Sequence, residues 1–208
     1  RHKVFDFFSR QAKLHNTWII VGSLLIHAPN NKEKFFNHCP VFAPDGSHTN
    51  SYNKIHLFDA DLKTESWHES KLITPGQEPS SVALDKRWKV GLSICYDLRF
   101  PELYREYSSQ GCNIMAVPAA FAVPTGQAHW ESLLRARAIE NQSFILASGQ
   151  CGEHADGRYT YGHSMIIDPW GKILTSMENG VGMISATLSW DQRTDLQNHM
   201  PVLQHRRL

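Results

Sequence analysis

The chain has 208 residues, of which 41% are hydrophobic and 20% charged, with a formal net charge of +1. This length suits one domain, spanning residues 1–208, with a substantial core. The basic residues are scattered rather than clustered, and no long apolar run occurs, so neither a nucleic-acid partner nor a membrane partner is expected. The one small basic cluster, His205, Arg206 and Arg207, reads as a solvated end. The cysteines Cys39, Cys95, Cys112 and Cys151 form no CxxC pair, and the twelve histidines fall singly without an HExxH spacing. No metal site and no cofactor are expected from these spacings. Free thiols fit a soluble protein of a reducing compartment, the cytoplasm by default.

In chain order, residues Val4 to Leu14 read as a helix with Val4, Phe7, Phe8, Ala12 and Leu14 on one face. No strand precedes it, so a first strand is expected to be missing and the domain to be incomplete at both ends. The apolar run Trp18 to Ile26 reads as one buried strand. Cys39 to Ala43 is a second, closed by the turn Pro44-Asp45-Gly46-Ser47. Ser51 to Phe58 continues as a strand into a loop-rich stretch over 59–80. Trp88 to Ile94 is a strand ending at Cys95, and Pro101 opens a helix from a favoured first-turn position. Asn113–Pro118, Phe144–Gly149, Ser164–Asp168 and Gly182–Leu188 read as further strands, and Ala128–Asn141 as a helix. Pro169-Trp170-Gly171-Lys172 is a tight turn into Ile173-Leu174-Thr175. Alternating strands and helices in the middle, with hairpin-like pairs at both ends, predict a layered α/β or α+β domain with one active-site edge.

Three segments carry chemistry. In Gly91-Leu-Ser-Ile-Cys95-Tyr-Asp-Leu-Arg99-Phe-Pro-Glu102 an apolar strand ends in a cysteine and a helix follows. Such a turn exposes a nucleophile at the sheet edge and aims backbone N–H groups, such as that of Tyr96, at a developing oxyanion. The alternative is a buried structural cysteine. In Tyr52-Asn-Lys54-Ile-His56-Leu-Phe58-Asp59 a lysine follows strand residues among aromatic neighbours. A lysine there needs a partner or a task, unless it snorkels to the surface. In His129-Trp-Glu131 to Asn141, Glu131–Arg135 and Arg137–Glu140 are spaced as helix-stabilising ion pairs.

Taken with Tyr161-Gly-His-Ser-Met-Ile-Ile-Asp-Pro-Trp-Gly171 and Met200-Pro-Val-Leu-Gln-His-Arg-Arg207, these segments resemble the nitrilase superfamily of carbon–nitrogen hydrolases, in its Nit branch. The resemblance covers nearly the whole chain. It implies a four-layer αββα sandwich that assembles as a homodimer or higher homo-oligomer. It implies a Glu–Lys–Cys mechanism in which Cys95 is the nucleophile, Lys54 holds the oxyanion and Glu69, in Trp67-His-Glu-Ser70, braces the lysine. The family's general-base glutamate has no counterpart here, and the chain by itself is not expected to turn over amides. The branch also implies that Arg99, Phe121 and Thr125 line the pocket, with Arg99 clamping a substrate carboxylate unless it pairs with Asp97 or Glu102. Ala119 stands where the family has a serine.

The expected activity is hydrolysis of a small carboxylate-bearing ω-amide through a Cys95 thioester with release of ammonia. The branch points to deaminated glutathione and a metabolite-repair role. An ω-amidase acting on 2-oxoglutaramate-like acids is the alternative within the class, and a non-catalytic scaffold of the same fold is the rival outside it.

Overall fold

A computed structural model describes residues 3–29, 31–61, 66–155 and 157–207. In chain order the elements are α1 (Lys3–Leu14), β1 (Ile19–Ile20), β2 (Leu24–Ala28), β3 (Asn31–Phe42), β4 (His48–Asn53), β5 (Asp59–Asp61), β6 (Ser66–His68), β7 (Ser81–Ala83), β8 (Lys89–Leu92) and α2 (Pro101–Ser109). They continue with β9 (Ile114–Ala119), α3 (Val123–Asn141), β10 (Phe144–Gly149), β11 (Cys151–Glu153), β12 (Tyr159–Tyr161), β13 (Ser164–Ile167), β14 (Ile173–Met177) and α4 (Trp190–His199). Short 3-10 turns cover Glu69–Lys71 and Cys95–Arg99.

Two sheets form the centre. The first is built on β3, which pairs antiparallel with β1, β2 and β4. The second has the order β14-β13-β10-β9-β8-β7, with β8, β9 and β10 mutually parallel. Between the sheets, Cys39, Val41 and Tyr52 meet Val90, Leu92 and Ile114. On the outer face of the second sheet, Met115, Val117 and Ile145 pack against Tyr104, Tyr107, Trp130 and Leu134 of α2 and α3. Helix α1 covers the outer face of the first sheet through the Phe5 ring, which lies against His38, Phe42 and His48. The layers are thus helix, sheet, sheet, helix, as expected for an αββα sandwich. The parallel strands β8 and β9 of the second sheet are buried along almost their whole length, which is why they read as apolar runs rather than clean alternations.

Several boundaries differ from the sequence reading. The run Trp18–Ile26 breaks into β1 and β2 at Val21-Gly22-Ser23, where Gly22 takes φ +92°, a conformation that costs a side-chain-bearing residue. On α1 the covering face runs through Phe5 and Ala12, while Phe7 and Leu14 are exposed. The strand at Cys39 begins at Asn31, and β4 ends at Asn53, so Lys54 leads an irregular segment. The stretch 59–80 is not only loop, because it holds the β5–β6 hairpin. The strand expected over Gly182–Leu188 does not form: among the described residues no ladder reaches it, and Val181 and Met183 project into solvent. Helix α4 was not anticipated, although Ser189-Trp-Asp-Gln192 is an N-cap signal and the Ser189 hydroxyl accepts from Gln192 N at 3.1 Å. Among the described residues no helix is long and apolar enough to cross a membrane.

Candidate active site

The parallel strands β8, β9 and β10 end at the same edge, and ligands of parallel sheets bind outside such carboxyl ends. A cavity of about 1100 Å³ opens there. Its wall takes Ile94 and Cys95 after β8, Ala119 and Ala120 at the end of β9, and Gly149 to Cys151 after β10. The β5–β6 and β11–β12 hairpins add Trp67 and Arg158.

Cys95 sits where strand gives way to the 3-10 turn, with φ +51°. A non-glycine residue in the left-handed region costs about 1–3 kcal/mol and persists only where its surroundings hold it. Those surroundings are identifiable. Asp97, with 0% relative exposure, accepts at Oδ2 from Tyr52 Oη at 2.8 Å and from the Ile94 N–H at 2.9 Å. Its Oδ1 accepts from the His56 N–H at 3.0 Å and meets His56 Nδ1 at 2.8 Å. One buried carboxylate therefore ties the segment carrying Lys54 to the turn carrying Cys95. The His56 ring stacks on Phe100 with centroids 3.7 Å apart, fixing the far end of the turn.

From the other side, Arg137 donates to Leu98 O from Nε at 3.1 Å and from Nη2 at 2.9 Å, and pairs with Glu140 at 3.0 Å. The spacing Arg137–Glu140 is the expected helical pair, but Arg137 is buried and grips the cysteine turn rather than decorating a surface. Glu131–Arg135 is the exposed pair the sequence predicts, at 3.4 Å. The Tyr107 hydroxyl donates to Leu92 O just before the turn.

Lys54 is 3% exposed and Glu69 17%, and Lys54 Nζ meets Glu69 Oε2 at 2.5 Å. The same oxygen accepts from the Phe58 N–H at 2.7 Å, and Oε1 accepts from Asn37 Nδ2 at 3.2 Å. Both residues share the cavity wall with Cys95. Burial pushes the Cys95 thiol above its ordinary ionisation range, the Lys54 charge and an Ala120 backbone hydrogen bond pull it down, and the Glu69 and Asp97 charges push it up. Cys39 and Cys112 are buried in the core; Cys151 is half-buried and lies against Gly180.

The structure therefore gathers Cys95, Lys54 and Glu69. Tyr96 follows Cys95 in the turn and packs its ring on Phe58 and Phe100. Arg99, Phe121 and Thr125 are not among the residues of the cavity wall. Arg99 Nη1 lies 3.2 Å from His129 Nδ1, and its guanidinium sits over the Tyr96 and Phe121 rings at 5.7 and 5.4 Å; Asp97, offered as a partner for it by the sequence, is committed elsewhere. Phe121 is buried against Trp130 with centroids 4.8 Å apart, and Thr125 Oγ1 donates to Ala122 O at 3.2 Å in the first turn of α3. Sequence reasoning missed Asp97, Asn37 and the wall residues Trp67 and Arg158. For Asp97 a signal existed, since a carboxylate two residues past an apolar strand end demands donors. Among the described residues no group of three or more His, Cys, Asp or Glu is placed to hold a metal ion.

Residues 2–197 match the model of the carbon–nitrogen hydrolase family. The chain belongs to the carbon–nitrogen hydrolases. A deaminated glutathione amidase of Synechocystis sp. is 40% identical over 202 residues, covering 96% of this chain and 74% of that protein. The human deaminated glutathione amidase is 36% identical over 208 residues, covering 99% of this chain and 64% of its own length. Among solved structures, the Caenorhabditis elegans NitFhit protein superposes with a TM-score of 0.89 at 37% identity over 98% of this chain. Saccharomyces cerevisiae Nit3, a member of branch 10 of the nitrilase superfamily, superposes with a TM-score of 0.88 at 30% identity over 99% of this chain. The chain spans about half of the NitFhit chain, 50%, and 72% of the Nit3 chain.

Proposed function

We propose that the protein is an amidase that cleaves a carboxylate-bearing ω-amide through a thioester on Cys95, with deaminated glutathione as the substrate. The carrying observation is that Cys95, held at φ +51° at a strand end, shares one cavity wall with the buried Lys54–Glu69 pair. The identity to deaminated glutathione amidases supports the choice of substrate.

In this reading the Cys95 thiolate adds to the amide carbon, and the negative charge on the carbonyl oxygen is met by Lys54 Nζ and the Tyr96 N–H. The tetrahedral adduct collapses, the C–N bond breaks, and the nitrogen leaves as an amine carrying the proton that the thiol gave up. Water then adds to the thioester, the C–S bond breaks, and the acid and the free thiol result. For a deaminated glutathione the leaving nitrogen belongs to the cysteinylglycine half, so the product is that dipeptide; ammonia leaves only from a primary ω-amide of the 2-oxoglutaramate kind. Glu69, filled by Lys54, Phe58 and Asn37, acts as the brace that orients the lysine. A homodimer or higher homo-oligomer fits the exposed Val181 and Met183, and a cytoplasmic setting fits four free thiols.

The test is product formation from deaminated glutathione by the protein and by Cys95→Ala. Turnover by the first and none by the second is expected, because the thioester forms on that sulfur. Turnover by Cys95→Ala rules the mechanism out.

A further inference from the structure

Along β3 the side chains of Cys39 and Val41 point between the sheets. Asn37, two residues before Cys39, lies on the same face, in the cavity wall. The β3–β4 register sets His38 against Asn53, and one step further the Lys54 N–H donates to Asn37 O at 2.9 Å. Lys54 and Asn37 thus stand opposite each other, and opposite residues of an antiparallel pair project to one face. The segment after β6 is laid along the same strand, because the Phe35 N–H donates to Leu72 O at 2.9 Å and the Thr74 N–H to Phe35 O at 2.8 Å. Glu69 arrives with that segment, and Asn37 Nδ2 donates to Glu69 Oε1 at 3.2 Å. Asn37 therefore touches both members of the buried pair, Lys54 through its main chain and Glu69 through its amide. The other half of that amide has no task in the fold. Asn37 Oδ1 is buried and, among the described residues, has no donor, and a buried acceptor left unpaired costs stability and calls for an explanation. Turning the amide over sets this oxygen against Glu69 Oε1, which is worse. On the same face stands a donor with capacity to spare. A lysine ammonium has three N–H groups, and among the described residues that of Lys54 has one acceptor, Glu69 Oε2 at 2.5 Å. Held at one point, the ammonium is free to turn, and its other N–H groups have no fixed direction.

From this we infer that Asn37 is a positioning residue for the lysine that meets the oxyanion. Its Nδ2 keeps Glu69 on the ammonium. Its Oδ1 takes a second Lys54 N–H as the ammonium turns toward the reacting carbonyl, which leaves the third aimed at the oxygen. The assignment rests on the amidase reading and deepens it. Donors that are already oriented stabilise a developing charge most, because nothing has to reorganise as the charge appears. The unpaired oxygen is then a cost carried by the resting protein and relieved only as the oxyanion forms. An interaction completed only in the transition state raises kcat rather than tightening substrate binding. Asn37 acts through Lys54 and touches no reacting atom.

The experiment is a double-variant cycle of Asn37→Leu and Lys54→Met, read by steady-state kinetics on deaminated glutathione and by urea denaturation. Leucine matches asparagine in size and carries neither half of the amide. With Lys54 present, Asn37→Leu is expected to lower kcat by about tenfold to a hundredfold, the scale of a misplaced catalytic group, with KM within about threefold because ground-state binding is untouched. In the Lys54→Met background the same change is expected to alter kcat by less than about twofold, since no ammonium is left to aim and groups that act as a unit are not additive. The urea midpoint of Asn37→Leu is expected to equal or exceed that of the parent, because an unpaired buried oxygen has been removed and Glu69, at 17% exposure, has water within reach. An unchanged kcat in Asn37→Leu overturns the assignment, as does a loss carried by KM. An equal loss in both backgrounds, with a lowered urea midpoint, marks a structural residue and overturns it too. Failure of the amidase reading looks different: the parent itself forms no product, and the assignment falls with it, whereas a parent that turns over while Asn37→Leu matches it sinks the assignment alone.

Discussion

Asp97→Asn tests how the site is held together. Asp97 receives four contacts, two at each carboxylate oxygen. Asparagine keeps one oxygen and turns an NH₂ group toward the other two donors, so two hydrogen bonds are lost and buried donors face a donor. Hydrogen bonds to charged groups contribute about 1.5–3 kcal/mol each, which puts the loss at about 3–6 kcal/mol. Removing one partner from a buried charged set costs a similar amount, about 3–5 kcal/mol. Domains of this kind hold only about 5–15 kcal/mol in total, so the variant is expected to be markedly less stable in urea. It is also expected to lose the distinct reactivity of Cys95, because the φ +51° turn loses the carboxylate that closes it. Tyr52→Phe removes one of the four contacts, and combined with Asp97→Asn it is expected to show coupling of about 0.5–3 kcal/mol, as for residues in one network. The assay is a set of urea denaturation curves on the three variants, read alongside Cys95 alkylation. An Asp97→Asn protein within about 1 kcal/mol of the parent, below the value of a single charge-assisted hydrogen bond, refutes the reasoning.

Three further outcomes follow from the geometry. Lys54→Arg is expected to lose about 10²–10³ in kcat with the fold intact, the cost of one oxyanion donor; steady-state kinetics within about threefold of the parent, far under that cost, make Lys54 a bystander. Iodoacetamide labelling of Cys95 is expected to keep accelerating with pH beyond the ordinary thiol value of 9.0, since burial disfavours its thiolate and pushes its pKa up, and Lys54→Met is expected to move that rise higher still; labelling rates that level off at lower pH contradict this. Cys39, buried between the sheets, has its thiol pushed up to about 12 from 9.0. Its neutral form is favoured on folding, so its contribution is complete below pH 9 and lost as the pH rises toward 12. Alkaline melts of Cys39→Ala are expected to fall less steeply than the parent over that window, and parallel curves count against it.

The cysteine turn was legible because its signals are local: an apolar run, a cysteine, and a proline that can only open a helix. Lys54 was legible for a similar reason, standing among aromatic residues at a strand end. Asp97 was not read as a hub because three of its four contacts come from Tyr52 and His56, some forty positions away, and no local pattern shows that they converge. Arg137 looked like a surface residue because its i, i+3 partner is a glutamate, a pattern shared by solvated helix faces. Only the approach of α3 to the cysteine turn buries it. The segment Gly182–Leu188 read as a last strand, yet a strand forms only where a neighbouring edge pairs with it, and none of the described strands does. The second sheet was readable because its central strands β8, β9 and β10 are buried apolar runs, whereas β4, His48–Asn53, is largely polar and was placed by its neighbours. The Trp67–Arg158 contact, by contrast, joins two hairpins about ninety positions apart in the chain, and nothing in either hairpin announces the other.

The central claim is that the reacting carbon becomes bonded to Cys95. Its most direct measurement is mass spectrometry of the protein quenched in acid during turnover of deaminated glutathione, followed by peptide mapping. The account predicts an acyl adduct on the peptide containing Cys95, of the mass of the substrate less its cysteinylglycine half, and no adduct in Cys95→Ala. An acyl adduct on Cys39, Cys112 or Cys151, or undiminished turnover by Cys95→Ala, contradicts it.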